Sequence, residues 1–217
     1  MGVSCKLYAM NSKLLTLLLL LFVSQVNALA GLRVGIAVRT VNPDPLLPVT
    51  GGVGPSHPVN RREGDLTVRA LVLEQERTLV AIVSADFLGF PAVLGNRVRA
   101  AVKEIPAQNI LIGATHTHSA PDCYGFPDGA GGTARDAKYV EQVCARMAEA
   151  IHEAVTNLRP ARLKIATGEA KGKIAYNYYA EQLYDPRCNI IQALDASGKP
   201  IATLVNYAIH LLINMLL

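Results

Sequence analysis

Tryptophan is absent from this 217-residue sequence, and aromatic residues make up only 6% of it. Proteins that bind single-stranded nucleic acid stack the bases on aromatic side chains, so this shortage argues against that class. The net charge of +4 is modest, and Lys and Arg are scattered along the chain. Because a phosphate-binding surface needs clustered positive charge, we expect no nucleic-acid partner.

Long apolar runs are also scarce, apart from one near the N-terminus. Lys6 and Lys13 precede the apolar stretch 14–23, and a small-residue site, Ala28-Leu29-Ala30, follows it. This order is typical of a secretory signal peptide. The stretch is shorter than the roughly 20 apolar residues of a membrane-spanning helix. We predict a signal peptide over residues 1–30 and a secreted or periplasmic (extracytoplasmic) mature chain, with an uncleaved membrane anchor as the alternative.

Cysteine is sparse, with four residues in the whole sequence. Cys5 lies in the predicted signal peptide, which leaves Cys123, Cys144 and Cys188 in the mature chain. An odd set cannot form a closed disulfide framework, although one bridge plus one free thiol remains open. The absence of C-x-x-C spacing excludes a zinc-ribbon or thioredoxin-like site.

The hydrophobic pattern predicts a mixture of strands and helices. Residues 32–38 alternate in the manner of a half-buried strand, whereas 79–85 is almost continuously apolar, which predicts a strand buried on both faces. Pro91 suits the start of a helix, and the helical spacing of apolar residues ends at Pro106. Further strands are predicted at 66–73, 109–114, 162–167, 189–194 and 201–207, and a second helix, with Thr133 as its cap, ends near Pro160.

A strand, a helix and a strand in succession predict a crossover between parallel strands. The segment 42–65 is dense in Pro and Gly, so we predict a loop without regular elements there, and a loop this long is usually functional. The predicted fold class is α/β, a mixed β-sheet with flanking helices.

The strongest local motif is Gly113-Ala114-Thr115-His116-Thr117-His118-Ser119-Ala120-Pro121. On an extended segment, two histidines two residues apart project to the same side. They follow a predicted buried strand, and ligands of open α/β sheets bind at such carboxyl ends. Neutral imidazoles are good zinc ligands, so the motif indicates a metal site, while a pair of structural histidines is the alternative.

Two more residues lie at predicted strand ends. His210 follows the apolar segment 203–209, and Asp86 follows the strand 79–85. Asp86 is interpreted either as a carboxylate that orients a ligand histidine or as a loop cap. His210 taken alone is more often structural than a ligand.

These residues resemble the neutral/alkaline non-lysosomal ceramidases. The motif Gly-x-x-His-Thr-His-Ser-x-Pro carries the resemblance, and the segments Thr50-Gly51-Gly52, 68–74, 83–86 and 199–210 resemble that family in the same order. The resemblance implies that residues 31–217 form the N-terminal portion of a catalytic domain. It also implies a Zn2+-dependent hydrolase that cleaves the amide bond of N-acyl sphingosine or a related N-acyl lipid. We expect contact with a membrane surface as well.

The resemblance also implies roles for individual residues. His116 and His210 would bind zinc, and His118 would assist proton transfer beside it. Asp86, Asn177 and Ser119 are predicted to support the ligands or contact the substrate. The family completes its site with a Glu and a Tyr further along than this chain extends, and Tyr178 stands where the family has an Arg that would bind the substrate oxyanion.

Three interpretations therefore remain open. The first is a metallo-amidase of the ceramidase type, complete or truncated; if the chain is truncated at the apolar tail 211–217, we expect weak zinc binding and little turnover. Alternatively it is a catalytically inert secreted remnant that binds lipid or a protein partner. A barrel amidohydrolase with an H-x-H motif is disfavoured, because the chain lacks regular strand–helix alternation.

Overall fold

A computed structural model describes residues 31–52, 54–172, 177 and 179–208. The predicted signal peptide, Tyr178 and His210 lie outside these residues, so what was inferred for them stays a prediction. Within the described part, no helix has the length and apolarity needed to span a membrane.

The strands form a mixed five-stranded sheet, a three-stranded antiparallel sheet and a two-stranded pair. The order in the five-stranded sheet is β5-β4-β3-β1-β7, in which β4 and β5 are parallel and the other pairs antiparallel. The strands are β1 (Arg33–Thr40), β2 (Val49–Thr50), β3 (Thr67–Gln75), β4 (Thr78–Ala85), β5 (Ile110–Ala114), β6 (Ala120–Pro121), β7 (Arg159–Pro160), β8 (Arg162–Glu169), β9 (Arg187–Leu194) and β10 (Pro200–Tyr207).

The helices are α1 (Ala92–Ala101) and α2 (Ala137–Thr156), with a 3-10 turn at Ala107–Asn109. α1 follows Pro91 and connects β4 to β5, which confirms the predicted crossover between parallel strands. The mixed sheet and its helices confirm the predicted α/β class.

Two hydrophobic cores lie on opposite faces of the five-stranded sheet. On β3, Val68, Ala70 and Val72 point toward the helices, while Leu71 and Leu73 point toward the three-stranded sheet. The alternation follows from the two-residue period of a strand, which sends successive side chains to opposite faces. The sheet is therefore a middle layer between the helices and the second sheet.

β4 differs from the prediction, because it is buried mainly on one face. Ala81, Val83 and Ala85 are buried in the helix-side core, whereas Val80 is 37% exposed on the other side. The three-stranded sheet packs over Val34 of β1 and Leu71 of β3 and leaves this outer end of β4 uncovered. The nearly continuous apolar sequence of β4 therefore does not correspond to a strand that is buried on both faces along its whole length.

α2 begins later than its predicted cap. The N-cap is Asp136, whose carboxylate accepts the backbone N–H of Tyr139 at 2.7 Å, so the prediction of Thr133 was wrong. The Tyr139 hydroxyl donates to the carbonyl of Val41 at 2.7 Å inside the core. This buried bond fixes where the first turn of α2 lies, and Asp136 is in register to cap that turn.

Candidate active site

The carboxyl ends of β4 and β5 meet at one edge of the sheet, and Asp86 joins them. The Asp86 carboxylate accepts from the backbone N–H and the hydroxyl of Thr67, at 3.0 and 2.7 Å. It also accepts from Arg69 at 3.1 Å and from the Thr115 hydroxyl at 3.3 Å. Asp86 thus acts on the chain directly before His116, which is closer to the predicted loop cap than to a direct histidine partner.

His116 is the first histidine of the pair and lies two residues after the end of β5, next to Thr115. Its Nδ1 lies 2.7 Å from the carbonyl oxygen of Leu88. Because a carbonyl oxygen only accepts, Nδ1 is the protonated nitrogen, and the lone pair of the neutral ring is on Nε2. Metal-binding histidines in proteins almost always donate their second nitrogen in this way, so the ring is prepared for a metal at Nε2.

His118 lies beside His116, although not for the reason predicted. His116 has φ +60°, so the segment is bent rather than extended, and the two-residue period of a strand does not apply. The ring centroids nevertheless lie 5.3 Å apart with an interplanar angle of 77°. The bend brings the two imidazoles edge to face at the exposed end of the sheet.

The loop 42–65 supplies one wall of this site through a short strand that sequence reasoning missed. Thr50 of β2 pairs with Ala120 of β6, two residues after His118. The next residue, Gly51, has φ +123° and lies against the His118 ring. A Cβ on Gly51 would lie 2.6 Å from Cγ of His118, so no other residue fits there without a shift.

Two cavities flank the β2–β6 pair. One, of about 580 Å³, is lined by Leu88 and Gly51, which contact the two histidines, and none of its described lining residues is charged. The other described lining residues are Thr50, Gly52, Gly54, Pro55, Phe126, Pro127 and Gly129. The other, of about 590 Å³, reaches Ser119 and has Arg61, Arg62, Glu63 and Asp65 in its lining. The site therefore has an apolar side and a side of mixed charge.

Buried Asp122 organises the loop that lines the apolar cavity. Its carboxylate accepts the backbone N–H groups of Tyr124, Gly125 and Phe126 at 2.7 to 2.8 Å. The rings of Tyr124 and Phe126 pack with centroids 5.3 Å apart, and both are partly exposed. The loop thus presents aromatic surface beside the histidine pair.

The comparisons with known proteins agree with this architecture. The crystal structure of neutral ceramidase from Pseudomonas aeruginosa matches with a TM-score of 0.65 and 18% identity, over 83% of this chain and 32% of that one. The chain has the fold of the neutral ceramidases. A ceramidase complexed with C2 matches with a TM-score of 0.61 and 20% identity, over 83% of this chain and 31% of that one.

The chain thus spans about a third of the length of the ceramidase structures it matches. No family model matches the sequence. No curated protein matches it either.

Asn177 is another residue predicted for a ceramidase-like site. Asn177 holds a turn, since its Oδ1 accepts the backbone N–H of Tyr179 at 2.9 Å and its Nδ2 donates to the Leu183 carbonyl at 3.3 Å. Among the described ranges, no group of three or more His, Cys, Asp or Glu side chains is arranged to hold a metal. The predicted second zinc ligand, His210, lies outside those ranges.

His152 and the cysteines lie elsewhere in the ceramidase fold. His152, on α2, binds Glu104, where burial would raise the pKa of the carboxyl but the hydrogen bond from His152 lowers it overall. Burial, with the nearby charge of Asp122, raises the pKa of the Cys123 thiol to about 12. Cys123, Cys144 and Cys188 are free thiols, so the single bridge considered from sequence is not formed.

Gly51 and Leu88 are the functional positions that sequence reasoning missed. Leu88 contacts His116 through its backbone carbonyl, which any residue could supply, so the residue type at this position does not predict the contact. Gly51 lies in the Thr50-Gly51-Gly52 segment that carried part of the ceramidase resemblance. Gly51 contacts His118 in the folded protein but is distant from it along the chain, so no residue spacing in the sequence links the two.

Proposed function

We propose that this chain is part of a zinc-dependent hydrolase of the neutral ceramidase type, which cleaves the amide bond of N-acyl sphingosine or a related N-acyl lipid. The observation that carries the proposal is the histidine pair. Its rings lie 5.3 Å apart at the carboxyl edge of the sheet, in a chain with the ceramidase fold. The proposal covers the longer protein, of which this chain would supply part of the site.

The described residues fit a zinc ion in one respect that can be tested. The contact with the Leu88 carbonyl supports protonation of Nδ1 of His116, and Nε2 would then be the atom that binds zinc. His210 would be the second ligand, on the resemblance alone. Zinc held there would supply a Lewis acid for water and for the amide carbonyl.

His118 would move the proton that amide cleavage requires. A leaving amine must be protonated, and imidazole is the usual side chain for that task near neutral pH. The edge-to-face arrangement puts the His118 ring beside His116 rather than further along the loop. Asp86 would position His116 through Thr115, and Ser119 would contact the polar part of a substrate from the charged cavity.

The apolar cavity supports an N-acyl lipid as the substrate class. Its described lining residues carry no charge, and two of them, Leu88 and Gly51, lie against His116 and His118. Ligand sites of this kind are concave and mostly apolar, with a few convergent polar groups. The exposed rings of Tyr124 and Phe126 support contact with a membrane surface, where aromatic side chains are favoured. On the leader pattern, we also propose that the chain is exported.

A second candidate function is binding of lipid or a partner without hydrolysis. Tyr178 stands where the resemblance places an oxyanion-binding Arg. Loss of one donor to an oxyanion typically costs about 3–4 kcal/mol of transition-state stabilisation. We therefore expect weak zinc binding and little turnover from this chain by itself.

Zinc titration of the purified mature chain tests the proposal. We expect one weakly bound zinc ion by calorimetry, because only part of a three-ligand set is supplied. His116→Ala should abolish that binding. His152→Gln is the matched control, since it removes an imidazole from α2 and keeps a donor toward Glu104. It should leave zinc binding unchanged.

The two candidate functions give different outcomes. A folded chain that binds an N-acyl lipid but takes up no zinc supports binding without hydrolysis. Zinc uptake that survives His116→Ala and is lost in His152→Gln would contradict the proposed site. Robust zinc-dependent hydrolysis of N-acyl sphingosine by this chain would overturn the expectation of low turnover.

A further inference from the structure

Gly51 meets two conditions at once that only glycine satisfies. Its φ of +123° lies in a region that L side chains rarely adopt. An added Cβ would also lie 2.6 Å from Cγ and 2.9 Å from both Cβ and Nδ1 of His118. The backbone of residue 51 therefore forms a wall against the Cβ, Cγ and Nδ1 atoms of His118.

The wall is fixed to the chain that carries His118. Thr50 pairs with Ala120, and Val49 pairs with Pro121, so the residues before Gly51 are tied to the residues after His118. Val49 also exchanges backbone hydrogen bonds with His57, at 2.8 and 2.9 Å. Thr50 is 5% exposed and Ala120 is fully buried, so the β2–β6 pair is well packed at this point.

The ring of His118 has Gly51 as one neighbour and the His116 ring as another. A displacement by the width of a methyl group would therefore change its angle to His116. We propose that Gly51 is a positioning residue, which holds the His118 imidazole edge to face with His116. This inference rests on the proposed function, in which His118 moves a proton beside a zinc ligand. Misplacement of a reacting group by about 1 Å can cost on the order of 100-fold in rate.

Gly54 provides a matched control for the substitution of Gly51. It lies in the same loop with φ +102°, and a Cβ there would meet nothing within 4 Å. Gly51→Ala and Gly54→Ala thus introduce similar backbone strain, but only the first introduces a clash with His118. A difference between the two variants isolates the contact with the ring.

Nuclear magnetic resonance of the histidine rings, at one fixed alkaline pH, is the first measurement. In the unaltered chain and in Gly54→Ala, we expect a cross-relaxation signal between the His116 and His118 rings. In Gly51→Ala this signal should be lost and the His118 ring resonances should move. The same signal and the same resonances in all three proteins would overturn the inference.

The second measurement covers the case in which Gly51→Ala folds poorly. If the clash with His118 is the cause, removing that ring by His118→Ala should relieve it. We expect Gly51→Ala to reduce the folding equilibrium constant about tenfold more in the unaltered background than in the His118→Ala background. Equal effects in both backgrounds would overturn the inference.

These outcomes are separable from those of the zinc titration. The ring measurements are made without metal, so they can fail while zinc still binds at His116, in which case only Gly51 loses its role. If zinc does not bind but the rings respond as expected, the zinc-dependent function fails and the contact stands.

Discussion

Replacement of Asp86 should destabilise the protein and loosen the chain before the histidine pair. The carboxylate is 16% exposed and accepts hydrogen bonds from Thr67 and Arg69 on β3 and from Thr115, which directly follows β5. Asp86→Ala removes all of these acceptors and leaves the partly buried N–H of Thr67 without this partner. The substitution therefore removes the contacts of residue 86 with both Thr67 and Thr115, whereas an exposed carboxylate makes no such contacts.

The magnitude follows from the separate contacts. Each of the two bonds from Thr67 to the ionised carboxylate contributes about 1.5 kcal/mol. The ion pair with Arg69 contributes little, because that side chain is 52% exposed and water screens the pair. The contact from Thr115 is long, at 3.3 Å, and adds least. We therefore expect Asp86→Ala to lower the free energy of unfolding by about 3 kcal/mol, and Asp86→Asn by about 1 kcal/mol.

Urea denaturation followed by circular dichroism measures this loss, since the chain has no tryptophan to report it by fluorescence. In thermal melts, about 3 kcal/mol corresponds to roughly 6–12 °C for a chain of this size. Glu63→Gln is the control, because its ion pair with Arg61 is almost fully solvated and its removal should cost less than about 0.5 kcal/mol. A similar loss for Asp86→Ala and Glu63→Gln would refute the reasoning.

Two further predictions concern the thiols and the leader. With a pKa of about 12, the Cys123 thiol is neutral near neutral pH, because burial and the Asp122 charge both disfavour the thiolate. An alkylating reagent should therefore label half-buried Cys188 in the folded chain and Cys123 only after unfolding; equal labelling of both in the folded chain would contradict this. N-terminal sequencing of exported protein should begin at Gly31, and a product that retains residues 1–30 would support the membrane anchor.

Much of the fold could be predicted from hydrophobic period. β3 and β4 follow from two short runs rich in apolar residues, and α2 follows from its apolar stripe. β2 and β6 could not be predicted, because two-residue strands have no period and their pairing depends on a distant partner. The cap of α2 was missed for a related reason, since two suitable residues stood three apart and a buried tyrosine decided between them.

The chemistry and the geometry of the candidate site come from different parts of the chain. The two imidazoles belong to residues two apart in the chain, so His116 and His118 could be recognised from sequence. Their arrangement depends on Leu88, Asp86 and Gly51, which act through a backbone carbonyl, a neighbouring threonine and the absence of a side chain. A chain that kept the H-x-H motif but carried a β-branched residue in place of Gly51 would retain both imidazoles and lose the angle between them. The motif therefore predicts which atoms can bind a metal, and the surrounding loops decide whether they converge.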